Sequence, residues 1–74
     1  EGEAAEWAAR INAEAAKAYI SAVRLNPEAT HIYGYLRVLL AMMDRLDCVQ
    51  LLGKKDVDGV EMALFGSISS AHVL

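Results

Sequence analysis

The residues of this sequence that could do covalent or metal chemistry are few and widely spaced. Cys48 is the only cysteine, and the two histidines are His31 and His72. A nucleophilic thiol needs a base within hydrogen-bond reach, and a structural zinc site needs clustered nitrogen and sulfur ligands. His31 and Cys48 are predicted to lie on one helix, about 25 Å apart at ~1.5 Å per residue, so they do not meet within one chain. Only a convergence of all three residues would make a small enzyme or metal protein.

Two short motifs near the third predicted helix resemble ligand-binding loops but lack essential residues. Asp56-Val57-Asp58-Gly59 has the spacing of a calcium loop. The frame that fits it puts Lys54 in the first ligand position and Phe65 in the last, where a glutamate belongs. Gly53-Lys54 lacks the upstream glycine and the following Ser or Thr of a phosphate loop. The aspartates are therefore interpreted as helix-start residues, and we expect no catalytic residue, no metal ligand set and no cofactor.

The composition indicates a small domain with more apolar surface than one copy can bury. The chain has 74 residues, of which 55% are hydrophobic. A chain of this size buries only about 60–65% of the surface that it exposes when unfolded. We expect another copy, a different protein or lipid to cover the remainder. Nucleic acid is not expected as a partner, because a net charge of −3 does not favour counterion release from phosphates.

Membrane insertion and secretion are not expected. The most apolar stretch, residues 32–52, is long enough to span a bilayer but contains several charges, each costing ~2.5–3.5 kcal/mol near the bilayer centre. No signal-peptide pattern is present. The chain begins at Glu1, which predicts that it has been processed or cut from something longer. The lone cysteine predicts a buried thiol in a reducing compartment, and hence a cytoplasmic location.

The spacing of apolar residues predicts an all-α fold with three helices in a single domain, residues 1–74. The first helix covers residues 3–25, where alternating spacings of four and three are typical of a coiled-coil seam. That seam consists of Ala4, Ala8, Ile11, Ala15, Ala18, Ala22 and Leu25. The second helix, residues 27–52, is apolar around most of its circumference and is expected to be central to the assembly. The third, residues 56–70, has a small-residue face at Gly59, Ala63 and Gly66 that favours close backbone approach.

Asn26-Pro27 marks the corner between the first two helices. Pro27 cannot continue the first helix, because it lacks an N–H and its ring clashes with the preceding turn. It suits the first position of the next helix, with Asn26 as the N-cap. The two long helices are therefore expected to fold back on each other as an antiparallel hairpin, completed by oligomerisation.

The residues around this corner resemble a tetratricopeptide repeat. The small, aromatic, small and proline positions of such a repeat's second helix are matched by Ala15, Tyr19, Ala22, Leu25 and Pro27. Packing positions of the next repeat's first helix are matched by Tyr33, Leu36 and Leu40, and its turn by residues 44–47. The match covers about half of the chain, and Arg37 and Asp44 depart from it. The resemblance implies a helix-lined groove for a peptide or partner, although a generic hairpin with a proline corner carries the same residues.

Two functions stay open on the sequence. The leading hypothesis is a non-enzymatic module that binds a partner helix or peptide through an apolar surface. The alternative is a self-assembling structural subunit, either a homo-oligomer, a filament or a shell. Methionine side chains adapt to varied partners. A large aromatic such as Trp7 either fills space in the core or anchors an interface. The candidate partner-binding residues are Trp7, Tyr19, Tyr33, Tyr35, Leu39, Met42 and Met43.

Overall fold

Four α-helices and no strand are found in the part of the chain that the computed structural model describes, residues 2–68. The helices are α1 (Gly2–Leu25), α2 (Thr30–Met42), α3 (Leu46–Gly53) and α4 (Val57–Phe65). The predicted all-α class is confirmed. Each helix packs against the next along the chain, and α4 packs back against α1. The longest dimension, 39 Å, is close to the ~36 Å length of α1 alone.

The first helix agrees with its predicted bounds, but its buried face is not the predicted seam. Ala16, Ile20 and Val23 are almost fully buried, whereas the seam residues Ile11 and Leu25 are 45% and 88% exposed. Branched side chains bury more apolar area than alanines, so the rest of the chain packs on the face that carries Ile20 and Val23. Within one copy, the alanine-rich seam is left without a neighbouring helix along much of its length.

The proline corner is a turn outside both helices, which corrects the predicted start of the second helix. The Asn26 N–H donates to the Ala22 carbonyl (2.9 Å), so Asn26 extends the end of α1. The Ala29 N–H donates to the Asn26 carbonyl (3.1 Å) and closes a turn with Pro27 in its second position. The fixed φ of proline suits that position as well as it suits the start of a helix. Consequently α2 begins at Thr30 instead of residue 27, and Asn26 is not its N-cap.

Beyond the turn, α2 runs back along α1. The rings of Tyr19 and Tyr35 lie 6.1 Å apart between centroids. Further from the corner, Ala15 of α1 lies beside Leu39 of α2, where both line the same groove. Earlier residues of α1 thus meet later residues of α2, which is the antiparallel hairpin that the sequence predicts.

The predicted helix over residues 27–52 is in fact two helices, interrupted at residues 43–45. Asp44 adopts a left-handed conformation with φ 60°. Its N–H donates to the Ala41 carbonyl (3.0 Å), and the Arg45 N–H donates to the Leu40 carbonyl (2.9 Å). These two bonds are the Schellman pattern that ends a helix. Apolar periodicity continues across the break and hides it, although the repeat resemblance assigns this segment to a turn.

The same termination recurs at the end of α3. Lys55 has φ 59°. The N–H groups of Lys55 and Asp56 donate to the carbonyls of Leu52 (2.9 Å) and Leu51 (3.0 Å). The Lys55 ammonium lies 5.5 Å from the centre of the Tyr33 ring on α2, a cation–π contact across the connection. A reversal this tight brings α4 back toward α1.

Both glycines of the predicted small-residue face act within α4 or at its end, which corrects the expectation of close helix approach. The Asp56 carboxylate accepts from the Gly59 N–H (2.9 Å), and this confirms an aspartate as the helix cap. A Cβ on residue 59 would overlap that carboxylate, so glycine there makes room for the cap. Gly66 has φ 74° and ends the helix at Phe65. The third predicted helix is therefore shorter than residues 56–70, the last two of which lie outside the described residues.

All four helices contribute to a shared core. Its members are Ala16, Ile20, Leu36, Leu40, Cys48, Leu52 and Val60. The predicted buried thiol at Cys48 is confirmed, since this side chain is fully buried. The break after α2 is what turns α3 so that Cys48 and Leu52 face the same core as Leu36 and Leu40.

An arginine next to the break ties the start of α3 to α4. Arg45 donates through Nε and Nη2 to the two carboxylate oxygens of Asp47 (3.1 and 3.0 Å), and its Nη2 also donates to the Ala63 carbonyl (3.3 Å). The hydrogen bond from Arg45 lowers the pKa of Asp47 from 3.8 to about 2. A two-point contact of this kind fixes the position of the guanidinium.

Replacing Asp44 with glycine is expected to stabilise the fold by up to about 1 kcal/mol. A non-glycine residue in the left-handed region costs ~1–2 kcal/mol, and the greater freedom of glycine in the unfolded chain offsets part of the gain. Urea unfolding followed by circular dichroism measures the change. Asp44→Ala is the matched control, since alanine keeps the Cβ and gains nothing. A lower stability for Asp44→Gly than for Asp44→Ala would contradict the assigned backbone conformation.

The Asp47 carboxyl is expected to titrate near pH 2, and Arg45→Gln should return its pKa toward 3.8. Carbon-13 shifts of the carboxyl group across the acid range measure both values. Because the folded pKa lies below the unfolded one, the pair stabilises the fold above about pH 4 and loses that effect as the pH falls toward 2. An Asp47 midpoint that does not change in Arg45→Gln would show that another group holds the carboxylate.

Candidate functional site

An open apolar groove of about 270 Å³ lies between α1 and α2. Its walls are Ala15, Tyr19, Tyr35, Val38, Leu39 and Met42. The tyrosine hydroxyls are the only polar side-chain groups among these residues. On α1 the lining residues are four apart, and on α2 they follow the i, i+3, i+4, i+7 pattern of one helix face. Helical periodicity alone thus gathers these side chains on facing stripes of two antiparallel helices.

The α2 wall of this groove is unusually exposed for apolar side chains. Tyr35 and Val38 are each 54% exposed and Met42 is 73% exposed. Tyr19 and Leu39, by contrast, are half-buried and pack against the core. The groove therefore has an inner side anchored in the core and an outer rim in water. A contiguous patch of this kind marks an interaction surface more often than scattered single residues do.

Aromatic contacts hold the end of the groove nearest the proline corner. The Tyr19 and Tyr35 rings are tilted by 42° at a centroid distance of 6.1 Å. His31, one turn before Tyr35, meets its ring edge-on at 5.8 Å and 82°. Aromatic pairs of this type contribute ~0.5–1.5 kcal/mol each beyond the area that they bury. Tyr35 is therefore held between two rings although it is more than half exposed.

Four of the seven predicted partner-binding residues line the groove, and the other three lie elsewhere. Tyr19, Tyr35, Leu39 and Met42 line the groove, as stated above. Tyr33 is half-buried against the core under Lys55, and Met43 is half-buried just past the end of α2. Trp7 is 65% exposed near the start of α1, so it is not a core plug within one copy. Sequence reasoning missed Ala15 and Val38 because it selected large residues, although helical spacing from Tyr19 and Tyr35 identifies both.

The N-terminal part of α1 extends past the groove without cover from α2. α1 has 24 residues and α2 has 13, a difference of about 16 Å at ~1.5 Å per residue. Trp7, Ile11, Ala15 and Tyr19 are spaced by four and form one ridge along α1. Ala15 and Tyr19 line the groove, whereas Trp7 and Ile11 at the other end of the ridge are exposed.

A second, polar cleft of about 510 Å³ lies between α1 and α4. Glu61, which lines this cleft and is only 5% exposed, accepts from Arg24, and Arg24 also donates to the carboxylate of Asp58. Burial acts to lower the pKa of Arg24, but the hydrogen bonds to Asp58 and Glu61 raise it overall, so the guanidinium stays charged. Nearby, the Lys17 ammonium lies 5.1 Å from the centre of the Phe65 ring. These contacts dock α4 on α1, and they make this side of α1 polar where the groove side is apolar.

Cys48 and His31 do not line either cleft. Cys48 is enclosed in the core, His31 is exposed beside Tyr35, and His72 lies outside the described residues. Within residues 2–68, no group of three or more His, Cys, Asp or Glu side chains is placed to hold a metal ion. The groove is thus the strongest site feature in the described part of the chain, and its chemistry is apolar contact.

Comparison with protein-family models, curated proteins and solved structures finds no match to this chain. The resemblance to a tetratricopeptide repeat therefore stays a prediction. Across the described residues, every helix is too short or too polar to pass through a lipid bilayer.

The Cys48 thiol is expected to resist labelling until the chain unfolds. Burial raises the pKa of Cys48, and the thiolate is the reactive form. An aromatic disulfide reagent should react slowly with the native protein and at once in concentrated urea. Met42→Cys supplies the control, because its added thiol is exposed and should react fast in the folded state. Native Cys48 reacting as fast as the introduced thiol would contradict its place in the core.

Proposed function

We propose that this chain is a non-enzymatic interaction module that binds an apolar helix or peptide of a protein partner in the groove between α1 and α2. The observation that carries the proposal is the exposed α2 wall, where Tyr35, Val38 and Met42 stand in water along one side of an apolar groove. Covering apolar surface contributes roughly 25 cal/mol per Å² before the entropy of association is subtracted. A partner with a matching apolar stripe supplies that cover.

The dimensions of the groove suit one face of a helix. Tyr35 and Met42 are seven residues apart, which is about 10 Å along α2 at ~1.5 Å per residue. A guest helix that presents apolar side chains at i, i+3 or i+4, and i+7 covers the same length. Small-molecule pockets are commonly ~300–1,000 Å³ and contain polar groups that orient the ligand. This groove is smaller and open, and it has only two tyrosine hydroxyls for that purpose.

The charge of α2 as a whole favours a guest with an acidic flank. Its charged side chain is the exposed Arg37, and the helix has no Asp or Glu in its sequence. Complementary charge at the rim of an apolar contact raises the association rate and selects the orientation of the guest. We therefore propose a guest helix with apolar residues on one face and carboxylates beside them.

A self-assembling structural subunit is the second candidate function. It is favoured by the exposed alanine seam of α1 and by Trp7, which one copy leaves in water. A seam with this spacing normally packs against another helix. For either function we propose a reducing, cytoplasmic location, supported by the single free thiol enclosed at Cys48.

A designed probe peptide tests the groove directly. The probe is a fluorescein-labelled helix with leucines at i, i+3, i+4 and i+7 and glutamates on both flanks, and its binding is followed by anisotropy. Val38→Glu is expected to weaken binding at least about tenfold, which corresponds to ~1.4 kcal/mol. Met62→Glu is the matched control, because Met62 is an exposed methionine on α4 that does not line the groove.

The probe experiment is done in a Trp7→Ala background, so that the exposed Trp7 side chain cannot compete with the peptide for an apolar surface. A second peptide with lysines in place of the glutamates should bind more weakly, given the charge of α2. Absence of binding by either peptide, or equal affinity in Val38→Glu and Met62→Glu, would rule out the groove as the binding surface.

A further inference from the structure

We infer that the groove is occupied by the N-terminal half of α1 from a second copy of this chain. The two copies form an antiparallel pair in which each Trp7 enters the other copy's groove. This inference rests on the proposed function of the groove and names its occupant. Four features of the described residues lead to it, namely the α1 ridge, the uncovered length of α1, the alanine seam and the distribution of charge.

The ridge of α1 supplies both halves of such a contact. Ala15 and Tyr19 form one wall of the groove, and Trp7 and Ile11 continue the same ridge into water. Helices pack by placing the ridge of one into the groove beside the ridge of the other. Trp7 is the largest side chain available for a groove whose α1 wall contains the small Ala15. A large residue opposite a small one is the arrangement that fills space without strain.

The unpaired length of α1 is sufficient to fill the groove. α1 is about 16 Å longer than α2, and the groove extends for about 10 Å along α2. The N-terminal residues of α1 that α2 leaves uncovered can therefore lie along the whole groove of another copy. Within its own copy the same segment continues past the end of the groove, because α1 is one uninterrupted helix from Gly2 to Leu25.

The alanine seam lets two α1 helices approach closely. Ala4, Ala8 and Ala18 are exposed, and Ile11 lies at the middle of the seam. Small residues at a helix contact permit short distances between the helix axes, and a seam spaced by four and three keeps the contact on one face. Since the buried face of α1 is occupied by the core, this seam is free to meet a second copy.

Charge and helix dipoles favour the antiparallel orientation. Residues 2–13, the first half of α1, carry Glu3 and Glu6 against Arg10, whereas in the second half Lys17 pairs with Glu14, and Arg24 pairs with Asp58 and Glu61. An antiparallel pair places the acidic first half of each α1 beside the other copy's α2, which has no carboxylate. A parallel pair in register would set glutamate against glutamate. Antiparallel helices also align their dipoles favourably.

The proposed contact closes as a dimer, because each copy fills the groove of the other. In a two-fold contact each copy offers its ridge and receives the ridge of the other, so neither groove is left open. The pair is therefore expected to be a dimer and not a filament.

Trp7 is the only tryptophan of the chain, so its fluorescence reports the contact directly. At high concentration we expect a dimer by sedimentation equilibrium and emission at short wavelength, with both changing together on dilution. Met42→Glu should weaken dimerisation at least about tenfold and move the emission of Trp7 to longer wavelength, although it leaves Trp7 itself unaltered. Met62→Glu is the control, because it places the same charge in the last turn of another helix. Far-UV circular dichroism verifies that both variants fold.

A disulfide experiment tests the orientation. Trp7→Cys and Val38→Cys chains, mixed and oxidised, are expected to form the mixed disulfide. Preferential joining of Trp7→Cys to itself would indicate a parallel pair and overturn the inference. Cys48 does not interfere, since it is enclosed in the core.

The remaining outcomes separate this inference from the proposed function. A wild-type chain that stays monomeric up to millimolar concentration, but binds the leucine probe peptide, overturns the dimer and leaves the groove function intact. A dimer that persists equally in Met42→Glu and Trp7→Ala places the contact elsewhere and also overturns the inference. A monomer that binds no probe peptide overturns both.

Discussion

The left-handed conformation at Asp44 is the constraint on which the rest of the structure depends. It ends α2 at Met42 after 13 residues, whereas α1 continues for 24. Had the helix continued, Cys48 and Leu52 would have extended along α1 in place of turning toward Leu36 and Leu40. The break thus has two effects: it supplies the core with a third helix, and it leaves the N-terminal half of α1 uncovered.

The sides of α1 consequently serve different purposes. One buries Ile20 and Val23 in or beside the core, and another carries Arg24, whose charge is met by Asp58 and by the nearly buried Glu61 on α4. Removal of a partner from such a buried pair is costly, so this contact fixes where α4 lies. With both of those sides engaged, the apolar surface still open on α1 is the seam and the ridge that leads into the groove.

The groove and the uncovered half of α1 both result from the small size of the domain. A domain of this size cannot enclose all of its apolar side chains, and here the excess is concentrated along one ridge and the facing stripe of α2. An apolar groove beside an apolar, unpaired helix segment favours binding of a helix, and the proposed module uses the same chemistry whether the guest is a second copy or another protein. In the described part of the chain, no group of three or more His, Cys, Asp or Glu side chains is placed to hold a metal ion.

The sequence alone determined the helical class, the fold-back near Pro27, an aspartate cap for the last helix, the burial of Cys48 and much of the groove lining, because each follows from local spacing or from one residue's backbone preference. Only the tertiary structure decided that α2 ends at Met42, just before the left-handed Asp44, and that the alanine seam of α1 faces water. Apolar periodicity looks the same on both sides of a single left-handed residue, so it could not reveal the break. The choice between two apolar faces of α1 depends on which one the other helices can cover with the larger side chains, and that is a property of the packed chain as a whole.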